Sequence, residues 1–111
     1  MPTNLDKYII AIDLGTSGPK SALVSMRGEV VDWEFEETRV LLLPKGGAEQ
    51  RPEEWWDAIK NTLKRLLGKG LVPVDDIVAV CCTTQWSGTV AVDRQGNHLM
   101  NAIIWMDSRG S

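Results

Sequence analysis

Histidine occurs once in these 111 residues, at His98. No pair of imidazoles is available to hold a metal ion, and a serine–histidine–aspartate triad has little to be built from. Cysteine occurs twice, at the adjacent positions Cys81 and Cys82, a spacing that suits neither a disulfide framework nor a zinc site. On a strand the two thiols point to opposite faces, and the expectation is a pair of buried thiols in a reducing cytoplasm. Positive charge is scarce: 12 Lys and Arg against 15 Asp and Glu leave a net charge of −3, and no basic run exceeds Lys64-Arg65. Nucleic acid is therefore not an expected partner. No apolar stretch approaches the roughly 20 residues that cross a membrane, and the opening MPTNLDKY has no signal-peptide pattern. The Walker loop G-x-x-x-x-G-K-[ST] is missing, as are internal repeats and low-complexity tracts. What remains is an ordinary globular composition, 43% hydrophobic and 24% charged, with room for one modest domain.

The most informative stretch that is present runs from Tyr8 to Lys20, YIIAIDLGTSGPK. A short apolar run ends in Asp13, then Gly15, Thr16, Ser17 and Gly18 follow, and Lys20 opens a second apolar run. An acid at the carboxyl end of a buried strand is placed to hold magnesium or one of its waters. Gly15 and Gly18 let backbone N–H groups approach an anion, while Thr16 and Ser17 add hydroxyl donors. Lys20 brings a positive charge to the same place. Together these groups could hold a metal-bound triphosphate without a Walker loop. The plain alternative is a hairpin whose turn is merely rich in Gly and Ser.

The remaining pattern predicts further strands and one helix. Ile9 to Ile12 and Lys20 to Ser25 are the first two strands, with a turn at Arg27-Gly28. A third strand follows, in which Val31, Trp33 and Phe35 alternate with Asp32, Glu34 and Glu36, the pattern of a strand with its acids on the wet face. Val40 to Pro44 is apolar and breaks into a loop at Lys45-Gly46-Gly47. A helix begins at Pro52, carries Glu53 and Glu54 in its first turn and stops at Gly68. Its apolar stripe is Trp55, Trp56, Ile59, Leu63, Leu66 and Leu67, opposite Asp57, Lys60, Asn61 and Lys64. Ile77 to Cys82 is apolar on both faces and reads as a central buried strand. It ends in a polar cluster from Thr83 to Gly88, where open α/β sheets gather their ligands. Thr89 to Asp93, a turn at Arg94-Gln95-Gly96-Asn97 and Ala102 to Trp105 complete a hairpin.

The strand order with D-x-G-T-S between its first two strands resembles the α/β ribonuclease-H-like fold of the actin, hexokinase and sugar-kinase ATPases. Three further stretches, EQRPEEWWDAI (Glu49 to Ile59), TTQWSGTVAVD (Thr83 to Asp93) and NAIIWMDSRGS (Asn101 to Ser111), narrow the match. All look like the N-terminal part of the FGGY family of carbohydrate kinases, which includes xylulokinase, ribulokinase and glycerol kinase. The four motifs stand in family order and span Tyr8 to Arg109. The resemblance implies ATP-dependent, magnesium-assisted phosphorylation of a sugar or polyol hydroxyl, with a xylulokinase-like enzyme as the nearest type. Asp13 would sit at the metal–phosphate centre, Gly15, Thr16 and Ser17 would wrap the triphosphate, and Lys20 would face the transferred phosphoryl group. Gln85, Trp86, Ser87 and Trp105 would meet the substrate, Trp105 offering a ring face to the C–H side of a sugar. Asp107 and Arg109 complete W-x-D-x-R, either touching substrate or pairing with each other.

Two departures from the family pattern matter. Trp86-Ser87 resembles neither the Met-His that follows the glutamine in xylulokinases nor the Arg-Glu of glycerol kinases, so the substrate's identity is withheld. The family is also several times longer, with a catalytic-base aspartate and a second domain downstream. Residues 1–111 are therefore expected to be an incomplete N-terminal domain, inactive alone, with a bare sheet face that favours a homo-oligomer. A non-catalytic nucleotide-binding module of the same fold is the alternative reading. A ribonuclease-H-like nuclease ranks behind both, because only Asp13 is well placed for a metal.

Overall fold

The structure, a computed structural model, describes residues 4–111. Its elements in chain order are β1 (Tyr8–Gly15), β2 (Gly18–Ser25), β3 (Val30–Phe35), β4 (Leu41–Leu43), β5 (Gly47–Gln50), α1 (Pro52–Gly68), β6 (Ile77–Thr84), β7 (Gly88–Thr89) and β8 (Ala102–Ile104), with short 3-10 turns at Asn4–Asp6, Pro44–Gly46 and Val74–Asp76. β1 and β2 are antiparallel in unbroken register, from Tyr8 opposite Ser25 to Gly15 opposite Gly18. Thr16 and Ser17 are thus a two-residue turn. Gly18 is required there on two counts: its φ is +143°, and a Cβ would stand 1.9 Å from the Glu36 carbonyl oxygen. β3 pairs with β2, and β6 runs parallel to β1, giving a first sheet of order β3-β2-β1-β6.

α1 covers one face of this sheet. Pro52 starts it and the acids Glu53 and Glu54 occupy its first turn. Ala58, Thr62 and Leu66 are buried on it, and Leu66 meets Ile10, Ile12 and Leu23 beneath, with Ile59, Leu63, Val72 and Ile77 around them. Trp56 and Leu67, expected in the apolar stripe, are exposed instead. The contact stripe is narrower and runs through the small residues Ala58 and Thr62, which let helix and sheet approach. No helix among the described residues is long and apolar enough to cross a membrane.

The second sheet, order β4-β5-β8-β7, is built from short strands. Gly47 to Gln50 was expected to begin in a loop but forms β5, which pairs with β4 and β8. A three-residue turn with Lys45 at φ 64° and Gly46 at φ 82° makes that hairpin. The expected hairpin from Thr89 to Trp105 is shorter than its pattern: β7 and β8 pair only at Gly88–Ile104 and Thr89–Ile103, and Val92 to His98 is an isolated bridge. Ala48, Ala102 and Ile104 form the core here, with Trp55 of α1 packed against it. One helix therefore serves both sheets.

Two expectations are corrected. β3 carries its charges on the covered side: Leu23 faces Asp32 and Ser21 faces Glu34 in register, on the α1 side of the sheet. Arg65 reaches Glu34 at 3.1 Å and Glu36 at 2.9 Å, and Lys69 reaches Asp32 at 2.8 Å. The cations at the end of α1 overhang this sheet edge, so the acids find partners there. Lys69 holds the Asp32 carboxyl below its ordinary value, and Asn61 with Arg65 does the same for Glu36. Val31, Trp33 and Phe35 are left exposed on the opposite face. The second correction concerns β6. Among the described residues it is an edge strand, paired only with β1 and open on both faces, and both Cys81 and Cys82 are exposed. Its doubly apolar pattern is that of a strand with two neighbours and two covers, which residues 4–111 do not supply.

Candidate functional site

The turn at Gly15–Gly18 lies where β1 and β6 both end, and the residues of interest collect around it. Asp13 stands opposite Lys20 across the hairpin and beside Thr83 of β6. All three lie on the sheet face away from α1. Asp13 and Lys20 line an open hollow of about 360 Å³ with Gly18, Trp33 and Phe35, and the Lys20 ammonium sits 4.9 Å from the centre of the Trp33 ring. Among the described residues nothing pairs with the Asp13 carboxylate or the Ser17 hydroxyl. The turn itself is anchored from outside: Thr38 N–H donates to the Ser17 carbonyl at 3.0 Å, and Glu36 N–H to the Pro19 carbonyl at 3.3 Å.

Thr16 points the other way, into a hydrogen-bond network that joins the two sheets. Its hydroxyl donates to Gln85 Oε1 at 3.3 Å and accepts from the Trp105 indole N–H at 2.8 Å. Gln85 is itself fixed to β1, since its backbone N–H donates to the Leu14 carbonyl at 2.7 Å. The Gln85 side chain donates to Gln50 Oε1 at 2.9 Å, the Trp55 indole N–H donates to the same oxygen at 3.1 Å, and Gln50 Nε2 donates to the Thr16 carbonyl at 2.7 Å. Gln50 is fully buried at the end of β5. Sequence reasoning quoted Gln50 within a motif but gave it no role. Its signal was an amide placed just before Pro52 at the helix start; Trp55 lies five positions on, but its other partners, Thr16 and Gln85, lie 34 and 35 residues away.

Asp107 and Arg109 come together as an ion pair that braces the chain after β8. Arg109 Nε donates to Asp107 Oδ2 at 2.9 Å, the Arg109 N–H to Oδ1 at 3.0 Å, and the Ala48 N–H of β5 to Oδ2 at 2.8 Å. Arg109 also reaches Glu49 at 2.6 Å. The Arg109 guanidinium, and after it the Ala48 N–H, hold the Asp107 carboxyl down to about 2. Arg109 and then Asn101 lower Glu49, and Asp107 and Glu49 raise Arg109. Trp86 and Ser87 stand apart. They form the link from β6 to β7, Ser87 at φ 53° turns the chain, and the Trp86 indole is 80% exposed rather than packed into the sheet.

The donor set suits a polyanion with a hard cation. One exposed carboxylate, one ammonium and two hydroxyls border a glycine-flanked turn. No cluster of three His, Cys, Asp or Glu side chains among the described residues makes a metal site. Asp13 alone would serve a magnesium ion, which commonly takes one or two carboxylates and completes its shell with water and phosphate oxygens.

A family profile described as the FGGY family of carbohydrate kinases, N-terminal domain, matches residues 8–111. The glycerol kinase of Chloroflexus aurantiacus is 34% identical over 104 residues, 93% of this chain and 21% of that protein. The xylulose kinase of Bacillus subtilis is 35% identical over 103 residues, again 93% and 21%. Two solved structures from Lactobacillus acidophilus, a ligand-bound xylulose kinase and a gluconate kinase, each superpose with a TM-score of 0.82 at 27% identity, covering 91% of this chain and 20% of theirs. The chain spans about a fifth of the length of each.

Proposed function

The chain belongs to the FGGY family of carbohydrate kinases and has the sugar-kinase ATPase fold, and from that premise we propose that it forms the opening part of an enzyme that phosphorylates a hydroxyl of a sugar or polyol in the cytoplasm. The observation that carries this reading is Thr16: it belongs to the turn that would hold phosphate, yet its hydroxyl is bonded to Gln85 and Trp105 of the acceptor cluster. Phosphate turn and acceptor cluster therefore form one site. Magnesium–ATP, when bound, supplies the phosphoryl group. Asp13 would hold the magnesium ion or one of its waters, with the turn at Gly15, Thr16 and Ser17 against the phosphates. Lys20 would neutralise charge that grows on the group in transit. Such positioning and neutralisation is most of what phosphoryl transfer requires of a protein.

On the acceptor side, Gln85 and Ser87 offer hydrogen bonds, and the indoles of Trp86 and Trp105 offer ring faces to the apolar side of a sugar. Asp107 already accepts on both oxygens, so we assign Asp107 and Arg109 to shaping the wall behind Trp105. The general base would come from polypeptide beyond residues 1–111, and this stretch alone would transfer no phosphate. The names of the relatives leave the acceptor open among polyols, ketoses and sugar acids, and a xylulokinase-like ketose preference is our reading within that class. The test is turnover of the whole enzyme with glycerol, D-xylulose and D-gluconate, paired with Asp13→Ala. Loss of turnover with acceptor binding intact is expected. Near-normal turnover of Asp13→Ala at saturating magnesium–ATP would remove Asp13 from the mechanism.

A further inference from the structure

Asp13 and Lys20 bear opposite charges and stand directly across the β1–β2 hairpin from each other. Residues so placed on one sheet face have Cβ atoms about 4.5–5.5 Å apart, within easy reach of a lysine stem, and opposite charges there favour a pair. Among the described residues, Asp13 and Lys20 nevertheless do not pair. The Lys20 ammonium lies instead over the indole of Trp33, 4.9 Å from the ring centre. Trp33 reaches it along a diagonal. Its own partner on β2 is Ala22, on the same face as Lys20, and Phe35 is the residue opposite Lys20 itself. The small side chain of Ala22 leaves the indole room to lean toward Lys20, and tryptophan is the ring that holds a cation best. Asp13, Lys20 and Trp33 line one hollow, with the ammonium on the ring and the carboxylate left open.

We infer that Trp33 is a positioning residue: its ring holds the Lys20 ammonium off the Asp13 carboxylate, so that the two charges stay available to metal and phosphate instead of cancelling each other. The inference rests on the roles proposed above for Asp13 and Lys20. The two contacts open to Lys20 are close in strength. An exposed cation–π contact and an exposed ion pair each favour the contact over a free ammonium by a factor of roughly two to five. With the ring in place the ammonium divides between them, and Asp13 is free in about half of the molecules or more. Without the ring, the fraction with Asp13 free falls to between about a third and a sixth. A cation that binds only the free carboxylate then loses about two- to threefold in apparent affinity.

The experiment is titration of the whole enzyme with manganese(II), whose free ion is counted by electron paramagnetic resonance and which takes the same oxygen ligands as magnesium. Binding that Asp13→Asn removes defines the Asp13 site. Trp33→Leu should weaken that site about two- to threefold, and Trp33→Phe, which keeps a ring face, should weaken it less. In a Lys20→Met background Trp33→Leu should change nothing, because no ammonium is left to swing across. A ring that merely supported its strand would weaken the site equally with and without Lys20. If Trp33→Leu does not fold, Trp33→Thr, at ease in a strand, carries the same comparison with the same outcomes. An unchanged site in Trp33→Leu, or equal losses in both Lys20 backgrounds, would overturn the inference and leave the proposed function standing. Manganese binding that Asp13→Asn does not alter would overturn the metal role proposed for Asp13, and the inference along with it.

Discussion

A pair of buried hydroxyls between β2 and α1 gives a sharp test of how α1 is seated. Ser21 Oγ of β2 and Thr62 Oγ1 of α1 are 2.8 Å apart, and both residues are fully buried. Thr62 also donates to the Ile59 carbonyl at 2.8 Å. Its one hydrogen is spent there, so Ser21 must be the donor in the pair. The two partners are therefore unequal. Thr62→Val keeps the shape of the side chain but strands the Ser21 O–H in a dry interface, a loss of about 1–3 kcal/mol. Ser21→Ala removes the donor and leaves Thr62 bonded to Ile59, so it should cost only about 0.5–1 kcal/mol. The double variant has no unpaired hydroxyl and should be more stable than Thr62→Val alone. Urea unfolding followed by far-ultraviolet circular dichroism measures all four proteins. If Ser21→Ala costs as much as Thr62→Val, or the two losses simply add, the assigned direction of the bond is wrong.

Two further outcomes are expected. Trp86→Ala should raise the KM for the acceptor and leave that for ATP nearly unchanged in steady-state kinetics, with a stability change within about 0.5 kcal/mol because the indole is exposed. Unchanged acceptor kinetics would remove Trp86 from the site. The second concerns acid. The Asp107 carboxyl lies at about 2 against an ordinary 3.8, chiefly through Arg109. Because the folded value is depressed, the ionised form favours the folded state; that contribution is whole above about 4 and is lost as the pH falls toward 2. The amide resonance of Ala48, bonded to Asp107, should titrate with a midpoint near 2. A midpoint near the ordinary carboxylate value would show that the brace is not formed in solution.

The hairpin of β1 and β2, the helix limits and the turn at Gly96 were legible because their causes are local. Alternating apolar residues, proline at a helix start and glycine at positive φ act within a few positions. What was not legible depends on partners far along the chain. β5 is held by Ala102 and Ile103, and nothing in Gly47 to Gln50 announces them. The faces of β3 were misread because alternation gives a period without a sign, and the sign was set by Arg65 and Lys69 overhanging that edge. Among the candidate site residues, the glycine turn could be read as a motif. The role of Gln50 could not, because it is defined by side chains on β5, α1 and the ends of β1 and β6 meeting at one amide.

The exposed link at Trp86 and Ser87 bears on how this site can change over generations. Most residues that shape an acceptor pocket are also part of a core, so altering them costs stability and is purged. Here the Trp86 side chain on the link rests on almost nothing, while Gln85 beside it is tied to Leu14, Gln50 and Thr16. Substitutions at Trp86 would fall in the range of ordinary surface changes, and Ser87, at its positive φ, is open to Gly or Asn without strain. Under the proposed assignment of Trp86 and Ser87 to the acceptor, preference would drift at these two positions under weak purifying pressure, while the turn at Gly15–Gly18 stays tied to Gln85 through Thr16.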